Sequence, residues 1–238
     1  MSARHEARGT RANVSTWVLA CVVAIFMSGC GTTHATLDTS RGEHLMLLGY
    51  DPVGYFTDAR PVRGKHTIAA THEGRTYYFA TAEHRGAFVA APARYEPQYG
   101  GFCSNGAPYG VKMGSDPTQF EIRSGRLFIF GDLQGREFWL LDEADNIRHA
   151  DELWPSIAGK GWRAQSLEAW TFKVPWYRDG KSLMARWREK HPGQELHYDT
   201  GGTVTNLLFK YPGWRAREGY SQERLGVPGE PDDPVAAR

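Results

Sequence analysis

Two side chains in this sequence have the chemistry for a site: Cys103 and His84. A thiolate binds soft ions such as Cu(I) or Zn²⁺, and imidazole is the commonest metal-binding side chain in proteins. Cys103 follows Gly100-Gly101, where a backbone without Cβ atoms can bend sharply and swing the thiol toward a neighbouring element. Two ligands do not make a structural zinc site, which wants four. His66, His72 or Met113 could complete one, though nothing in their spacing selects them. The same pair could instead serve nucleophilic catalysis, with Cys103 attacking and a histidine as base. The plainer reading makes Cys103 a small buried hydrophobe and His84 a partly exposed helical residue. No Gly-x-Ser-x-Gly, P-loop, dinucleotide fingerprint or His-Glu-x-x-His occurs. A non-catalytic binding role is therefore expected over an enzymatic one, with copper or zinc as the first ligand to consider and a structural or interaction protein that binds no metal as the alternative.

The elements that must position these residues lie close around them. Asp51-Pro52 reads as a turn, because proline presets φ and pushes the preceding residue toward extended backbone. Thr67–Ala70 and Arg75–Ala80 are rich in β-branched and aromatic residues and flank Glu73-Gly74, which predicts a β-hairpin. Tyr77 and Phe79 then share one face and Tyr78 takes the other. Thr81 is placed to cap a helix over Ala82–Ala90, which carries His84 and stops at Pro92. A second hairpin is expected from Gln119–Arg123 and Arg126–Phe130 around Ser124-Gly125, extending the first sheet. Asp132 should cap a helix to about Glu143, and another helix should cover Ile147–Trp154, stopped by Pro155.

In this order, Gly49-Tyr50-Asp51-Pro52-Val53-Gly54-Tyr55-Phe56, Tyr77-Tyr78-Phe79-Ala80-Thr81 and the run from Pro92 to Tyr99-Gly100-Gly101-Phe102-Cys103 resemble a YHS domain of the bacterial envelope branch. Gly114-Ser115-Asp116-Pro117 and Ala150-Asp151-Glu152-Leu153-Trp154-Pro155 fit the same branch. The resemblance spans about residues 44–158 and implies a treble-clef-like core. The metal-binding branch of that family carries cysteines at the positions held here by Gly54, Ala80 and His84. Two of those three expected ligands are absent, so the family's metal binding is not transferred whole. The fold class expected is α+β, a small antiparallel sheet with short helices plus an irregular C-terminal extension.

The ends of the chain carry a different signal. Arg4, Arg8 and Arg11 precede an apolar run from Trp17 to Met27, too short to span a bilayer comfortably. Met27-Ser28-Gly29-Cys30 follows, and residues 1–30 resemble a bacterial lipoprotein signal in which Cys30 is lipidated. That implies an envelope protein facing the periplasm, with Gly31 favouring the outer membrane and 31–43 as tether. The membrane is then one partner and a cell-envelope protein a possible second. Cys21 would leave with the signal, so Cys103 would have no internal disulfide partner. A net charge of +1 gives no electrostatic reason to expect nucleic acid. Beyond Gly159-Lys160-Gly161, residues 159–220 mix aromatic and basic side chains and are expected to pack on the domain. That stretch is expected to hold a helix at Ser182–Lys190 and a strand at Thr203–Tyr211, and 221–238 is expected to be disordered.

Overall fold

The computed structural model describes residues 33–39 and 41–196. The expected signal segment with Cys30, the strand expected at Thr203–Tyr211 and the tail 221–238 lie outside the described residues.

The fold is mixed α/β, with a small sheet and several short helices. The chain opens with β1 (Thr36–Asp38) and β2 (His44–Met46), then the single-turn helix α1 (Gly54–Thr57) and the hairpin β3 (Lys65–His72) and β4 (Arg75–Phe79). Glu73 and Gly74 both take positive φ, 46° and 77°, the geometry of a two-residue hairpin turn whose twist matches its strands. β4 alternates as its sequence requires. Tyr77 and Phe79 enter a core with Phe88, Tyr55 and Val53, while Tyr78 packs on the other face with Leu37, Leu45 and Leu48.

The sheet order is β1-β2-β4-β3. β2 meets β4 in parallel, through Leu45 opposite Thr76. The sheet is therefore mixed where an antiparallel one was expected. Residues 47–64 loop out and close at the end where β2 finishes, with the Gly64 N–H donating to the Gly49 carbonyl at 2.9 Å, so β3 runs opposite to β2 and β4 returns parallel to it. The stretch expected to be a tether also contributes structure. Within 31–43, β1 pairs with β2, Leu37 is buried, and the Ala35 N–H donates to the Gly100 carbonyl at 2.8 Å.

β5 (Asp116–Arg123) and β6 (Arg126–Phe130) form the second hairpin, turning at Ser124 and Gly125. It does not extend the first sheet but stands as a separate two-stranded ribbon. The reason lies in its side chains. Leu127 and Ile129 complete the first core, and Phe128 and Phe130 build a second with Trp139, Tyr99 and Cys103. A strand apolar on both faces must be covered on both, and placing the ribbon between two cores does that.

Helix α2 (Ala82–Ala90) begins as expected, with Thr81 Oγ1 accepting the His84 N–H at 3.1 Å. The short α3 (Pro92–Tyr95) follows. Asp132 caps α4 (Leu133–Leu140) by accepting the Gly135 N–H at 2.6 Å. This helix ends earlier than expected, and α5 (Glu143–Ile157) runs longer at both ends and through Pro155. Proline in the last turn removes one backbone donor, and burial of Ile157 beyond it holds the turn. A helix not anticipated, α6 (Trp162–Thr171), fills the first part of the aromatic stretch. Last comes α7 (Gly180–Lys190), which lays Leu183, Met184 and Trp187 against Phe138 and Leu141. Among the described residues, no helix is long and apolar enough to cross a membrane.

Candidate functional site: a polar cleft beside two structural anchors

Cys103 lies in the second core, 4% exposed among Tyr99, Ala107, Phe128, Phe130 and Trp139. Its Sγ accepts the Gly131 N–H at 3.1 Å. Burial, and then the Asp132 carboxylate, push the thiol pKa up. A buried thiol held protonated is a poor nucleophile at neutral pH.

His84 has a different setting. Its Nδ1 sits 2.7 Å from Asp51 Oδ2, and its Nε2 lies 3.3 Å from Thr57 Oγ1. Asp51 is fully buried. Its Oδ1 accepts the N–H groups of Val53 and Gly54 at 2.9 and 3.3 Å, and its Oδ2 accepts the Ala80 N–H at 2.8 Å. One carboxylate thus ties the Asp-Pro turn, the end of β4 and the start of α2. His84 is its fourth donor and serves as a strut. Cys103 and His84 therefore keep separate company. Among the described residues, no group of three or more His, Cys, Asp or Glu side chains is arranged to hold a metal ion. Cys103 in the second core and His84 against Asp51 thus do not come together as a donor set for copper or zinc, which want three or four ligands.

The polar groups that do converge line a cleft of about 360 Å³, among them His34, Arg75, Tyr77, Glu96, Tyr99 and Trp154. Arg75 organises one wall. Its guanidinium donates to Glu73 at 2.8 Å and Glu96 at 3.0 Å, and lies 3.2 Å from His34 Nε2. Tyr77 donates its hydroxyl to the same Glu96 oxygen, Oε1, at 2.8 Å. On the other wall Tyr99 donates to Asp151 at 3.0 Å, and Arg126 bridges Asp151 and Gln98. Burial, reinforced by the Arg75 charge, lowers the His34 pKa to about 4, so its imidazole is neutral at neutral pH. Burial raises the Tyr77 and Tyr99 hydroxyls, which stay protonated donors.

Backbone geometry at the cleft is unusual. Tyr99, Gly100 and Gly101 all have left-handed φ, at 55°, 63° and 76°. Tyr99 has a Cβ, so its conformation stores strain of order 1 kcal/mol. Gly100 is needed for space as well, since a Cβ there would meet His34, the Thr33 carbonyl and Trp154 at 3.1 to 3.4 Å.

Behind the cleft lies Lys112, 2% exposed. Its ammonium donates to the carbonyls of Lys160 at 2.6 Å, Ala158 at 2.9 Å and Thr33 at 3.4 Å. It also lies 4.9 Å from the Trp154 ring centre and 5.3 Å from that of Phe102. Burial lowers its pKa to about 8, so the group remains a cation at neutral pH.

Sequence reasoning missed His34, Arg75, Glu96, Trp154 and Lys112. They come from five distant segments, and of these only Glu96, in the Pro-x-x-Tyr-x-Pro-Gln-Tyr run, and Trp154, in the Ala150–Pro155 run, fall where the sequence carries a local signal. Comparison with protein-family models, characterised proteins and solved structures finds no match for this chain.

Proposed function

We propose that this chain is a membrane-tethered envelope module of the YHS type, carried by a lipid on Cys30, that binds a small polar ligand without turning it over. The observation that carries the reading is the cleft. Its walls hold charged and hydroxyl groups in fixed pairs, and its aromatic lining includes Trp154. Cleft size falls at the low end for small-molecule sites. The Glu96 carboxylate uses only Oε1 for Arg75 and Tyr77, which leaves Oε2 for a ligand. Donors and acceptors alternate around rings with apolar faces, which suits a ring bearing hydroxyls, such as a neutral saccharide unit of the envelope. Three carboxylates against the guanidiniums of Arg75 and Arg126 disfavour an anion. The position of the cleft agrees with tethering, because His34 follows Cys30 by four residues, at most about 14 Å of extended chain. The binding role is assigned to this cleft and not to a copper or zinc ion on Cys103 and His84.

The test is calorimetric titration of the full chain with the N-acetylglucosamine disaccharide. Saturable heat is expected, and Ala93→Trp, which fills the cleft from an exposed position on α3, should abolish it. Glu96→Gln should weaken binding about tenfold, the size of one charge-assisted hydrogen bond. Absence of saturable heat in the unaltered chain rejects the ligand class. Palmitate labelling that persists in Cys30→Ser rejects the tether.

A further inference from the structure

Helix α6 buries Trp162 at its start, but beyond it the helix turns polar side chains inward and apolar ones outward. Its polar residues Gln165 and Ser166 are buried, donating to the carbonyls of Gly110 at 2.9 Å and Lys112 at 3.0 Å. Its apolar residues Leu167 and Trp170 face outward, 39% and 50% exposed. Phe172, just past the helix, is 75% exposed and Tyr177 is 40% exposed. Four of the seven exposed large hydrophobics among the described residues therefore fall within eleven positions. Scattered exposed apolar residues need no explanation, but a local concentration marks a contact surface.

From these observations we infer that residues 167–177 form a seat for an anionic lipid surface. Charge selects the occupant. Arg163, Lys173, Arg178 and Lys181 are exposed around the patch, with Arg163 over the Trp162 ring, Lys173 over the Tyr177 ring and Arg178 at 3.9 Å from Asp142, while Glu168 is engaged by Lys160 at 2.7 Å and Asp179 caps α7. Aromatic residues with flanking cations are the composition of a membrane–water interface: tryptophan and tyrosine lie at headgroup depth, and lysine and arginine reach outward to phosphates. Chain path agrees. The Lys112 ammonium holds the Thr33 and Lys160 carbonyls together, so the first described residues and the start of α6 meet at one point. From there α6 extends only about 15 Å, at 1.5 Å per residue. A lipid on Cys30 and the aromatic patch can thus reach one bilayer together. This inference rests on the tethered reading for its setting, and on exposure and charge for its content.

The experiment is hydrogen exchange on the full chain in nanodiscs of anionic lipid, in nanodiscs of zwitterionic lipid and in detergent. Amides of 167–177 should exchange at least about tenfold more slowly in anionic discs than in either other medium. Val89, equally apolar and 57% exposed on α2, should show no change. Paired Trp170→Ser and Phe172→Ser substitutions lie outside the packed cores and should abolish the protection without releasing the protein from the discs. Equal exchange in all three media overturns the proposal. So does equal protection in all three, which would mean that the chain covers the patch itself. If the chain does not stay with the discs at all, the tether is what has failed. Anionic vesicles added to the free chain then decide the patch: protection of 167–177 upholds it, and unchanged exchange removes it.

Discussion

Two buried ions hold this molecule together in opposite ways. Asp51 is an anion surrounded by donors: three backbone N–H groups and the His84 imidazole. Lys112 is a cation surrounded by acceptors: three backbone carbonyls and the faces of Phe102 and Trp154. Neither relies on a side chain of opposite fixed charge. In both, the backbone supplies the counter-dipoles, which costs less side-chain entropy than ordering a second long side chain. The difference lies in what each one joins. Asp51 secures elements within 33 residues of one another, whereas Lys112 reaches 79 residues back to Thr33 and 48 forward to Lys160. One ion locks a motif and the other locks the tertiary arrangement.

The largest test of that contrast is Asp51→Ala. It strands three backbone donors in a dry site and releases His84, so a loss of about 3–5 kcal/mol is expected in urea denaturation. Asp51→Asn keeps Oδ1 but turns an amide donor toward Ala80 and His84, and should lose roughly half as much. A loss under about 1 kcal/mol for the alanine variant would mean that water reaches the site and that the carboxylate is not an anchor.

Lys112→Met keeps the stem and its packing but removes every donor. It should cost about 2–3 kcal/mol, the worth of hydrogen bonds from a charged group. The contrast with Asp51 predicts where the damage falls. Backbone exchange should accelerate at residues 33–35 and 158–166, while the β3–β4 hairpin stays protected. Acceleration spread evenly over the whole chain would make the two anchors equivalent and end the distinction.

The same contrast explains what could be read from the sequence. Asp51 precedes proline in a turn, Thr81 precedes a helix and Glu73-Gly74 separates two strands, so local chemistry announces each of them. The hairpins, α2, the α4 cap and the facing of Tyr77, Tyr78 and Phe79 are legible for that reason. Lys112 sits in a loop between glycines, where nothing local distinguishes a buried ammonium from a solvated one. α6 was hidden because its buried side is polar apart from Trp162, so no apolar period points to a core. The separate ribbon was missed because a hairpin's turn fixes its own pairing and says nothing about its neighbours. The cleft was missed because His34, Arg75, Glu96 and Trp154 meet only in three dimensions. His84 and Cys103 could be singled out by residue type, but type does not tell that one braces a carboxylate and the other is sealed in a core.

His34 represents a third solution, a titratable group that stays inside by remaining neutral. Burial and then Arg75 hold its pKa near 4, against 6.5 for an unperturbed imidazole. Between those values the unfolded chain binds the extra proton. Stability should therefore fall as pH is lowered from 6.5 toward 4, and His34 should contribute no slope above that window. Allowing for its partial exposure, the drop is of order 1 kcal/mol. His34→Gln should flatten that part of the profile, and an unchanged slope would assign it to another group.

Cys103 is also kept neutral, and it gives the smallest energetic effect. Its thiol accepts one backbone N–H and otherwise touches apolar side chains. Cys103→Ala removes one sulfur from a packed site and should cost about 1 kcal/mol. Reactivity is the more telling measurement. Burial holds the thiol in its protonated form and out of reach of reagent. Iodoacetamide, followed by peptide mass mapping, should therefore modify Cys103 only at the rate at which the second core opens. Urea should raise that rate steeply, and Lys112→Met should raise it modestly, since that anchor holds Trp154 against the same core. Labelling of the native chain as fast as the unfolded one would mean an accessible thiolate. It would return Cys103 to the list of possible nucleophiles and metal ligands and would remove the separation drawn here between the sealed core and the open cleft.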